Sequence, residues 1–344
     1  MKKRILVTGG TGYIGSHTVV ELIQAGFEPI IVDNLSNSDK SSLEGIQSIT
    51  GIKPEFHCFD LCDKELTRIF FANNKDIKGI IHFAAFKAVG ESVEKPLMYY
   101  HNNLASLVNI LSAAEENEIS NFVFSSSCTV YGQPDILPVT EESPVQPAFS
   151  PYGKTKQISE EIIRDFSINL SGFKTIMLRY FNPIGAHPSA KIGELPLGVP
   201  NNLVPFVTQT AAGVREELRI FGNDYNTTDG TAIRDYIDVV DLAKAHVVAV
   251  NRLIGNKNDQ QVEVFNLGTG RGVSVLELVT TFEKVNQQKV NYVITPRRSG
   301  DIEKVWADTS KANNVLGWKS ERTLEETLKS AWEWEKKYRA GNTE

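Results

Sequence analysis

Three polar side chains have the types and spacing needed for proton transfer. Ser127 ends the serine-rich segment 125–127, and Tyr152 and Lys156 stand four residues apart in the segment 150–166. Four residues make about one helical turn, so Tyr152 and Lys156 are expected to share a helix face. A free tyrosine titrates near pH ~10, and a neighbouring ammonium together with a positively charged oxidised cofactor would lower that pKa. These residues are candidates for oxidising a substrate hydroxyl, with Tyr152 as the base and Ser127 as a hydrogen-bonding partner.

The same spacing occurs in many ordinary surface helices, so its meaning depends on what precedes it. Gly9, Gly12 and Gly15 follow an apolar run and open a segment of helical period. A tight turn, close approach of the backbone to a pyrophosphate and close helix packing each exclude a Cβ. The helix N-terminus then offers free N–H groups to phosphates. The GxxGxxG spacing predicts a dinucleotide loop, with a glycine turn that binds nothing as the alternative.

Asp33 indicates which dinucleotide binds. It ends the second apolar run, at about the distance from the loop where an acid accepts hydrogen bonds from the adenosine ribose. Its carboxylate would repel a 2′-phosphate, and the segment 33–38 contains no arginine that could receive one. The sequence therefore predicts NAD and not NADP. A solvated aspartate at a strand end is the alternative.

Apolar runs alternate with helical segments through the first half of the chain. The runs show little polar alternation, which is typical of parallel strands covered on both faces. We expect strands at 4–8, 28–33, 54–60, 79–85, 121–127 and 174–180. Alternating strands and helices predict an α/β fold with a doubly wound parallel sheet of the Rossmann type.

The pattern changes near residue 181. The segment 182–202 is rich in Pro and Gly, and the remainder mixes short helices with short strands. We therefore expect a NAD-binding domain at 1–181, with segments around 236–268 returning to it. A smaller C-terminal α/β lobe at 182–344 is expected to bind the substrate.

Composition excludes several classes of partner. The chain of 344 residues has a formal net charge of -6, which gives no basic footprint for nucleic acid. No apolar stretch approaches the ~20 residues of a membrane span, and the run after Arg4 is too short for a signal peptide. The three cysteines and six histidines lack metal-ligand spacing, so no metal site is expected. Unpaired thiols favour a cytoplasmic location.

A set of segments spans nearly the whole chain: TGGTGYIG (8–15), FAAFKAVGES (83–92), SSSCTVYG (125–132), LRYFNPIGAHP (178–188), VPNNLVPF (199–206), IFGNDY (220–225), DGTAIRDYIDVVDLA (229–243) and PRRSGDIEKVWAD (296–308). Together they resemble the UDP-galactose 4-epimerase family of the extended short-chain dehydrogenase/reductase group. Single segments are shared with relatives, but the combination is specific.

The resemblance implies that UDP-galactose and UDP-glucose are interconverted through a 4-keto intermediate, with tightly held NAD that is not consumed. Tyr152 would take the proton of the sugar C4 hydroxyl while hydride leaves C4 for the nicotinamide. The keto sugar would then turn over in the pocket and receive the hydride on its other face. Lys156 would also hold the nicotinamide ribose, and Ser127 would position the 4-hydroxyl.

The resemblance further implies two sets of binding residues, although the apolar members also suit plain core packing. The cofactor set is Gly9, Gly12, Gly15, Tyr13 and Ile14 at the pyrophosphate, Asp33 and Asn34 at the ribose, Asp60 and Leu61 at the adenine, and Phe83, Ala84, Ala85, Lys87, Asn102 and Phe181 along the rest of the groove. The substrate set is Asn182, Asn202 and Leu203 around the sugar and diphosphate, Arg219 and Phe221 near the uracil, Arg234 and Arg298 on the phosphates, and Asp301 on the uridine ribose. Arg297 is expected to be a solvated charge.

Two finer expectations also come from the resemblance. In the family, the position of Val305 borders the C2 substituent of the sugar, where a large aromatic residue excludes an N-acetyl group. Valine is smaller, so we expect activity on UDP-GlcNAc and UDP-GalNAc beside the plain sugars. The family also implies a homodimer, for which helices around 97–116 and 152–170 are the expected contact.

Three alternatives stay open. A nucleotide-sugar 4,6-dehydratase would share the first oxidation, but such relatives carry an Asp-Glu pair where this chain has Cys128 and Thr129. A decarboxylating relative would need a pocket for a uronate carboxylate, which nothing in the sequence indicates. A non-catalytic NAD-binding protein would be expected to have lost Ser127, Tyr152 or Lys156, and all three are present.

Overall fold

A seven-stranded parallel sheet forms the centre of the computed structural model, which describes residues 2–298 and 301–341. Its strands in chain order are β1 (Arg4–Thr8), β2 (Glu28–Asp33), β3 (Glu55–Cys58), β4 (Ile77–His82), β5 (Asn121–Ser127), β6 (Lys174–Tyr180) and β11 (Val262–Leu267). Their spatial order is β11-β6-β5-β4-β1-β2-β3. The order reverses direction on either side of β1, and the carboxyl ends of parallel strands there form a crevice suited to a ligand. The predicted Rossmann-type α/β fold is confirmed.

Helices cover both faces of this sheet, which explains why its strands are apolar on both sides. They are α1 (Tyr13–Gln24), α2 (Ser41–Thr50), α3 (Lys64–Asn73), α4 (Val89–Glu94), α5 (Pro96–Glu116), α6 (Pro151–Asn169) and α8 (Val239–Ile254). One core cluster joins α1, α2 and α8 to the sheet through residues such as Val20, Ile46 and Leu242. The cluster on the other face joins α3, α5 and α6, for example through Leu107 and Ile163.

The remaining elements form a smaller region with its own apolar cluster, which contains Val207, Leu218, Phe282 and Trp332. Its helices are α7 (Leu203–Ala211), α9 (Val275–Asn286) and α10 (Leu324–Gly341), and its strands are β7 (Asn182–Ile184), β8 (Leu218–Phe221), β9 (Ile233–Arg234), β10 (Tyr236–Asp238), β12 (Val273–Ser274), β13 (Tyr292–Thr295) and β14 (Lys304–Val305). These strands make three small sheets, β10-β7, β12-β9-β14 and β13-β8.

The chain returns to the large sheet after residue 238, since α8 packs on it and β11 pairs with β6. The segment 236–238 differs from the expectation, because β10 pairs with β7 and not with the large sheet. The division of the chain into domains at 181/182 stays a prediction. Within residues 2–298 and 301–341, no helix is both long and apolar enough to cross a membrane.

Candidate active site

A long groove of about 1130 Å³ runs along the carboxyl ends of the sheet strands. A second cavity of about 680 Å³ lies in the smaller region. Both are lined by Asn182, Pro183, Asn201 and Asn202, so they are adjacent and meet at these residues. The arrangement is suited to hold two ligands side by side.

The glycine loop at the groove is packed too closely for side chains. A Cβ on Gly15 would lie 2.2 Å from the carbonyl oxygen of Gly9, and one on Gly9 would lie 2.8 Å from the amide nitrogen of Ala84. Gly9 also has a φ of 69°, in the region that favours glycine. Gly12 precedes α1, and no side chain caps the free N–H groups of its first turn. A phosphate can therefore approach both the loop and the helix end.

Asp33 is held in place at the end of β2, where it is 8% exposed. Its carboxylate accepts hydrogen bonds from Thr11 N at 3.2 Å, Leu35 N at 2.9 Å and Ser38 Oγ at 3.1 Å. Among the described residues, the lining of the groove includes lysines but no arginine. A fixed carboxylate without an arginine beside it suits a ribose hydroxyl better than a 2′-phosphate.

Every other residue predicted for the cofactor lines the same groove: Tyr13, Ile14, Asn34, Asp60, Leu61, Phe83, Ala84, Ala85, Lys87, Asn102 and Phe181. Tyr13 fixes one wall, since its hydroxyl donates to Gly185 O at 2.7 Å. The groove therefore brings together residues that lie far apart along the chain. Their individual roles stay predictions.

Ser127, Tyr152 and Lys156 meet on the inner wall of the groove, where each is buried. Ser127 ends β5, and α6 begins beside it with the Ser150 side chain accepting a hydrogen bond from Gly153 N. The Lys156 ammonium donates to Ser125 O at 2.6 Å and lies 6.0 Å from the centre of the Tyr152 ring. One helical turn thus places the phenol and the ammonium on the same side of α6.

Burial dominates the electrostatics of this wall. It raises the pKa of Tyr152 to about 12, and hydrogen bonding with Ser127 offsets only part of the rise. It lowers the pKa of Lys156 to about 8, opposed by the Glu160 carboxylate. The lysine was expected to help lower the pKa of Tyr152, but the protein alone does not produce that effect. A phenolate at this position needs the further positive charge that the prediction assigned to an oxidised cofactor.

The second cavity is lined by the residues predicted for the substrate: Asn182, Asn202, Leu203, Arg219, Phe221, Arg234, Arg298 and Asp301. Its arginines are already engaged, since Arg298 Nε donates to Asp301 Oδ2 at 3.0 Å and Arg219 Nε donates to Glu217 Oε1 at 3.3 Å. The Arg298 guanidinium also lies 4.6 Å from the centre of the Phe221 ring. An aromatic ring beside arginine forks is suited to a base and a phosphate group.

Arg297 is not part of that lining. It pairs with Asp224 at 2.7 Å and lies over the Tyr225 ring. This position agrees with the expected surface charge.

Val305 lies in a packed apolar cluster. It is 3% exposed on β14, and it packs in a cluster with Tyr131, Val139, Phe181 and Ala307. It belongs to the lining of neither cavity, whereas Phe181 from the same cluster faces the groove. The expected wall beside a sugar C2 substituent therefore stays a prediction for Val305, whose side chain packs within this cluster.

The sequence interpretation missed two carboxylates near these ligand sites. Glu194 accepts hydrogen bonds from Lys87 and Asn202, one residue from each ligand set. Glu160 forms a buried ion pair with Arg179 behind Lys156. The position of Glu160 had a signal, since it follows Lys156 by one further helical turn.

Comparison with known proteins gives matches over nearly the whole chain. The family model described as GDP-mannose 4,6 dehydratase matches residues 6–331. The UDP-glucose 4-epimerases of Dictyostelium discoideum and Bacillus subtilis are each 50% identical to this chain; the alignments cover 96% of it, and 95% and 96% of those proteins. The crystal structure of UDP-glucose 4-epimerase from Bifidobacterium longum in complex with NAD+ and UDP matches with a TM-score of 0.93 and 45% identity, over 98% of this chain and 100% of that one. The chain therefore belongs to the UDP-glucose 4-epimerase family.

Proposed function

We propose that this protein is a UDP-glucose 4-epimerase, which interconverts UDP-galactose and UDP-glucose through a 4-keto intermediate and keeps its NAD throughout. The observation that carries the proposal is the meeting of two cavities beside Ser127, Tyr152 and Lys156. The groove suits a dinucleotide and the second cavity suits a nucleoside diphosphate. The related Bifidobacterium longum enzyme was crystallised with both NAD+ and UDP.

The groove fits NAD by its shape and charge. The close packing of Gly9, Gly12 and Gly15 against the protein backbone brings the loop and the uncapped N-terminus of α1 together, and these backbone N–H groups hold the diphosphate. Asp33 accepts hydrogen bonds from the adenosine ribose, and Lys156 holds the nicotinamide ribose. NAD, when bound, supplies the acceptor and donor of hydride for the sugar C4.

The residues of the chain handle the proton and the substrate. Tyr152 takes the proton of the C4 hydroxyl and later returns it, and Ser127 holds the same oxygen by a hydrogen bond. The positive charge of Lys156, together with that of an oxidised cofactor, would favour the phenolate. All three side chains are buried, so few water molecules compete for them with the substrate.

The second cavity holds the UDP part of the substrate. Arg234 and Arg298 bind the diphosphate, because a planar guanidinium can donate two hydrogen bonds to phosphate oxygens. Asp301 is released from Arg298 by this exchange and accepts a hydrogen bond from the uridine ribose. Phe221 and Arg219 flank the uracil, and Asn182, Asn202 and Leu203 position the sugar.

Turnover of UDP-GlcNAc and UDP-GalNAc is a secondary part of the proposal. Val305 packs in one cluster with Phe181, so its small size acts on the groove only through that ring. Room for an N-acetyl group then requires the Phe181 side chain to shift toward the valine. Incubation with UDP-GlcNAc tests this part, and a complete lack of product would eliminate it while leaving the 4-epimerase proposal intact.

The proposal includes a homodimer formed by α5 and α6, in the cytoplasm. Both helices carry exposed apolar side chains, with Leu97 81% exposed and Ile168 72% exposed. Such side chains are suited to an interface between copies. Analytical ultracentrifugation is expected to give a dimer, and replacement of Leu97 by Glu is expected to weaken it. A monomer at micromolar concentration would contradict this part.

The decisive experiment incubates the purified protein with UDP-galactose and no added NAD. We expect UDP-glucose without net release of NADH. A 4-keto-6-deoxy sugar would instead favour the dehydratase that the description of the family model suggests. The structure argues against that reaction, since burial raises the pKa of Cys128 to about 12 and the hydroxyl of Thr129 is too weak an acid to act as proton donor.

A further inference from the structure

A buried ion pair lies directly behind the reaction centre. Glu160 and Arg179 are 5% and 3% exposed. They join through two hydrogen bonds, Arg179 Nε to Glu160 Oε1 at 2.8 Å and Nη2 to Oε2 at 2.5 Å. Removing both charges from water is costly, and a buried pair of this kind is weak evidence for stability. The role of the pair is therefore better inferred from the elements that it holds in position than from its contribution to stability.

The pair connects α6 to the end of β5. Tyr152, Lys156 and Glu160 follow one another at four-residue intervals on one face of α6. Lys156 donates to the backbone oxygen of Ser125, and the Ser126 hydroxyl donates to Glu160 Oε1 at 2.6 Å. Two successive turns of the helix thus hold two successive residues of the strand. The residue that follows them is Ser127.

Arg179 extends the connection across the sheet. It lies opposite Ser126 in the register of β5 and β6. Its Nη1 donates to the Tyr131 hydroxyl at 3.0 Å, and that hydroxyl donates to Asn266 on β11 at 2.6 Å. The network therefore links α6 to the ends of three neighbouring strands. A shift of the Glu160 carboxylate would therefore disturb hydrogen bonds at all three strand ends.

We propose that Glu160, held by Arg179, is a positioning residue of the reaction centre, which through Ser126 fixes the end of β5 and so sets Ser127 relative to Tyr152 and Lys156. The inference rests on the proposed function, because the epimerase reaction is what gives these three residues their roles. Glu160 is not assigned a ligand contact. It acts through the two elements that it joins.

The charge of Glu160 has a second effect, on Lys156. Burial lowers the pKa of Lys156 to about 8, and the Glu160 carboxylate opposes that decrease. The titratable groups packed around Lys156 and the Tyr152 phenol come from several elements: Tyr152 and Glu160 on α6, Tyr99 on α5, His82 on β4, Tyr180 and Arg179 on β6, and Cys128 after β5. Arg164 on α6 also lies 3.9 Å from the Glu160 carboxylate. Burial keeps the His82 ring, the phenols and the thiol neutral near pH 7. Removal of the Glu160 charge is therefore expected to let Lys156 lose its proton at a lower pH.

Two variants test the proposal, one by removing a single hydrogen bond and the other by removing the whole ion pair. Ser126→Ala removes the link between strand and helix while leaving the ion pair, and we expect kcat to fall about tenfold with KM within about twofold. Glu160→Gln combined with Arg179→Met removes both charges at similar volume, and we expect kcat to fall about 100-fold. In that double variant the alkaline decline of kcat should move to lower pH, because the Glu160 carboxylate no longer opposes the effect of burial on Lys156.

A matched ion pair elsewhere provides the control. Arg252 on α8 joins Glu263 on β11 by two hydrogen bonds of 2.8 Å, away from the reaction centre. Glu263→Gln is expected to lower the melting temperature and leave kcat and its pH profile unchanged. A titration of the lysine ε-carbons by NMR, with Lys156→Met for assignment, gives the Lys156 midpoint without any activity measurement.

The outcomes separate the two proposals. Wild-type protein without epimerase activity would overturn the proposed function, and the kinetic roles of Glu160 and Ser126 would fail with it. Active wild-type protein with unchanged kcat and pH profile in folded Ser126→Ala and double variants would overturn the inference alone. If the double variant does not fold, the kcat of Ser126→Ala decides. A Lys156 midpoint that is the same in wild type and folded double variant would overturn the electrostatic part.

Discussion

The two ligand regions of the protein are built differently. The groove lies at the carboxyl ends of the strands of the large sheet. Its glycine loop is so tightly packed that a Cβ added to Gly15 would lie 2.2 Å from a backbone oxygen. The side chain of Lys156 in the same groove is only 5% exposed. The second cavity is lined by strands of two to four residues together with loops and α7, and two of its arginines are open to solvent. The side chains of Arg298 and Arg219 are 57% and 65% exposed, and each is paired with a carboxylate.

The difference matches two kinds of ligand. A buried groove on a rigid sheet holds a ligand by many fixed contacts, so exchange requires much of the site to open. Exposed charges that already have partners change partners at small cost, because surface ion pairs contribute up to about 1 kcal/mol. The first region therefore suits a cofactor kept through turnover, and the second suits a substrate that binds and leaves. Four predictions test this contrast.

The largest effect is expected for Tyr152→Phe. Loss of the phenol removes the proton acceptor, so kcat should fall by about 100- to 10,000-fold. The bound NAD should stay, because the glycine loop and Asp33 are unchanged. Epimerisation rate and NAD content of the purified variant provide the check. Activity within tenfold of wild type would remove Tyr152 from the mechanism.

The next effect concerns the packing of the groove. In Gly15→Ala the new methyl group meets the backbone of Gly9 and Gly10, and such overpacking costs about 1–3 kcal/mol. We expect a lower melting temperature and a protein that loses NAD on gel filtration. Gly90→Ala is the matched control, since Gly90 lines the same groove and a Cβ there has no neighbour within 4 Å. Equal NAD content in the two variants would contradict the assigned cradle.

A smaller effect is expected in the second cavity. Arg298→Met removes a charged donor to the diphosphate, worth about 1.5–3 kcal/mol, so KM for UDP-galactose should rise about 10- to 100-fold while NAD stays bound. Arg297→Met is the control, because that arginine pairs with Asp224 outside the cavity lining. If both variants raise KM equally, the loss reflects general surface charge and not a diphosphate contact.

The smallest effect is that of salt. Exposed charges are screened over about 10 Å at 0.1 M salt, so high ionic strength should raise KM for UDP-galactose by at most about fivefold. The NAD content should not change with salt, because Asp33 and Lys156 are buried and the glycine loop offers uncharged backbone N–H groups. Titration with potassium chloride, with NAD measured after each step, checks both statements. Release of NAD in parallel with the rise of KM would contradict the proposed difference between a retained cofactor and an exchanging substrate.

The sequence predicts the large sheet well and the small sheets poorly. The bounds of β1, β2, β5 and β6 agree with the expected apolar runs at every residue, since continuous burial leaves a clear pattern. The expected run at 79–85 is displaced, because β4 ends at His82 and the next residues turn to line the groove. Strands of two residues, such as β9 and β14, have no periodicity at all, and only pairing with distant segments creates them.

The site shows the same limit. Ser127, Tyr152 and Lys156 could be found because their spacing and position after a strand carry the chemistry. The partner of Glu160 could not, because nothing in the sequence selects Arg179, nineteen positions away, over other arginines. The surroundings of Val305 show a related limit. A motif gives the position of a residue on a strand but does not determine which way its side chain points in a packed cluster.

The central claim, a kept cofactor beside an exchanging substrate, can be measured directly. Protein loaded with NAD carrying a radioactive adenine is mixed with excess unlabelled NAD and UDP-galactose, and the label is followed through many turnovers. We predict that UDP-glucose accumulates while the label stays with the protein on gel filtration. Label that equilibrates with the free NAD during turnover would contradict the claim.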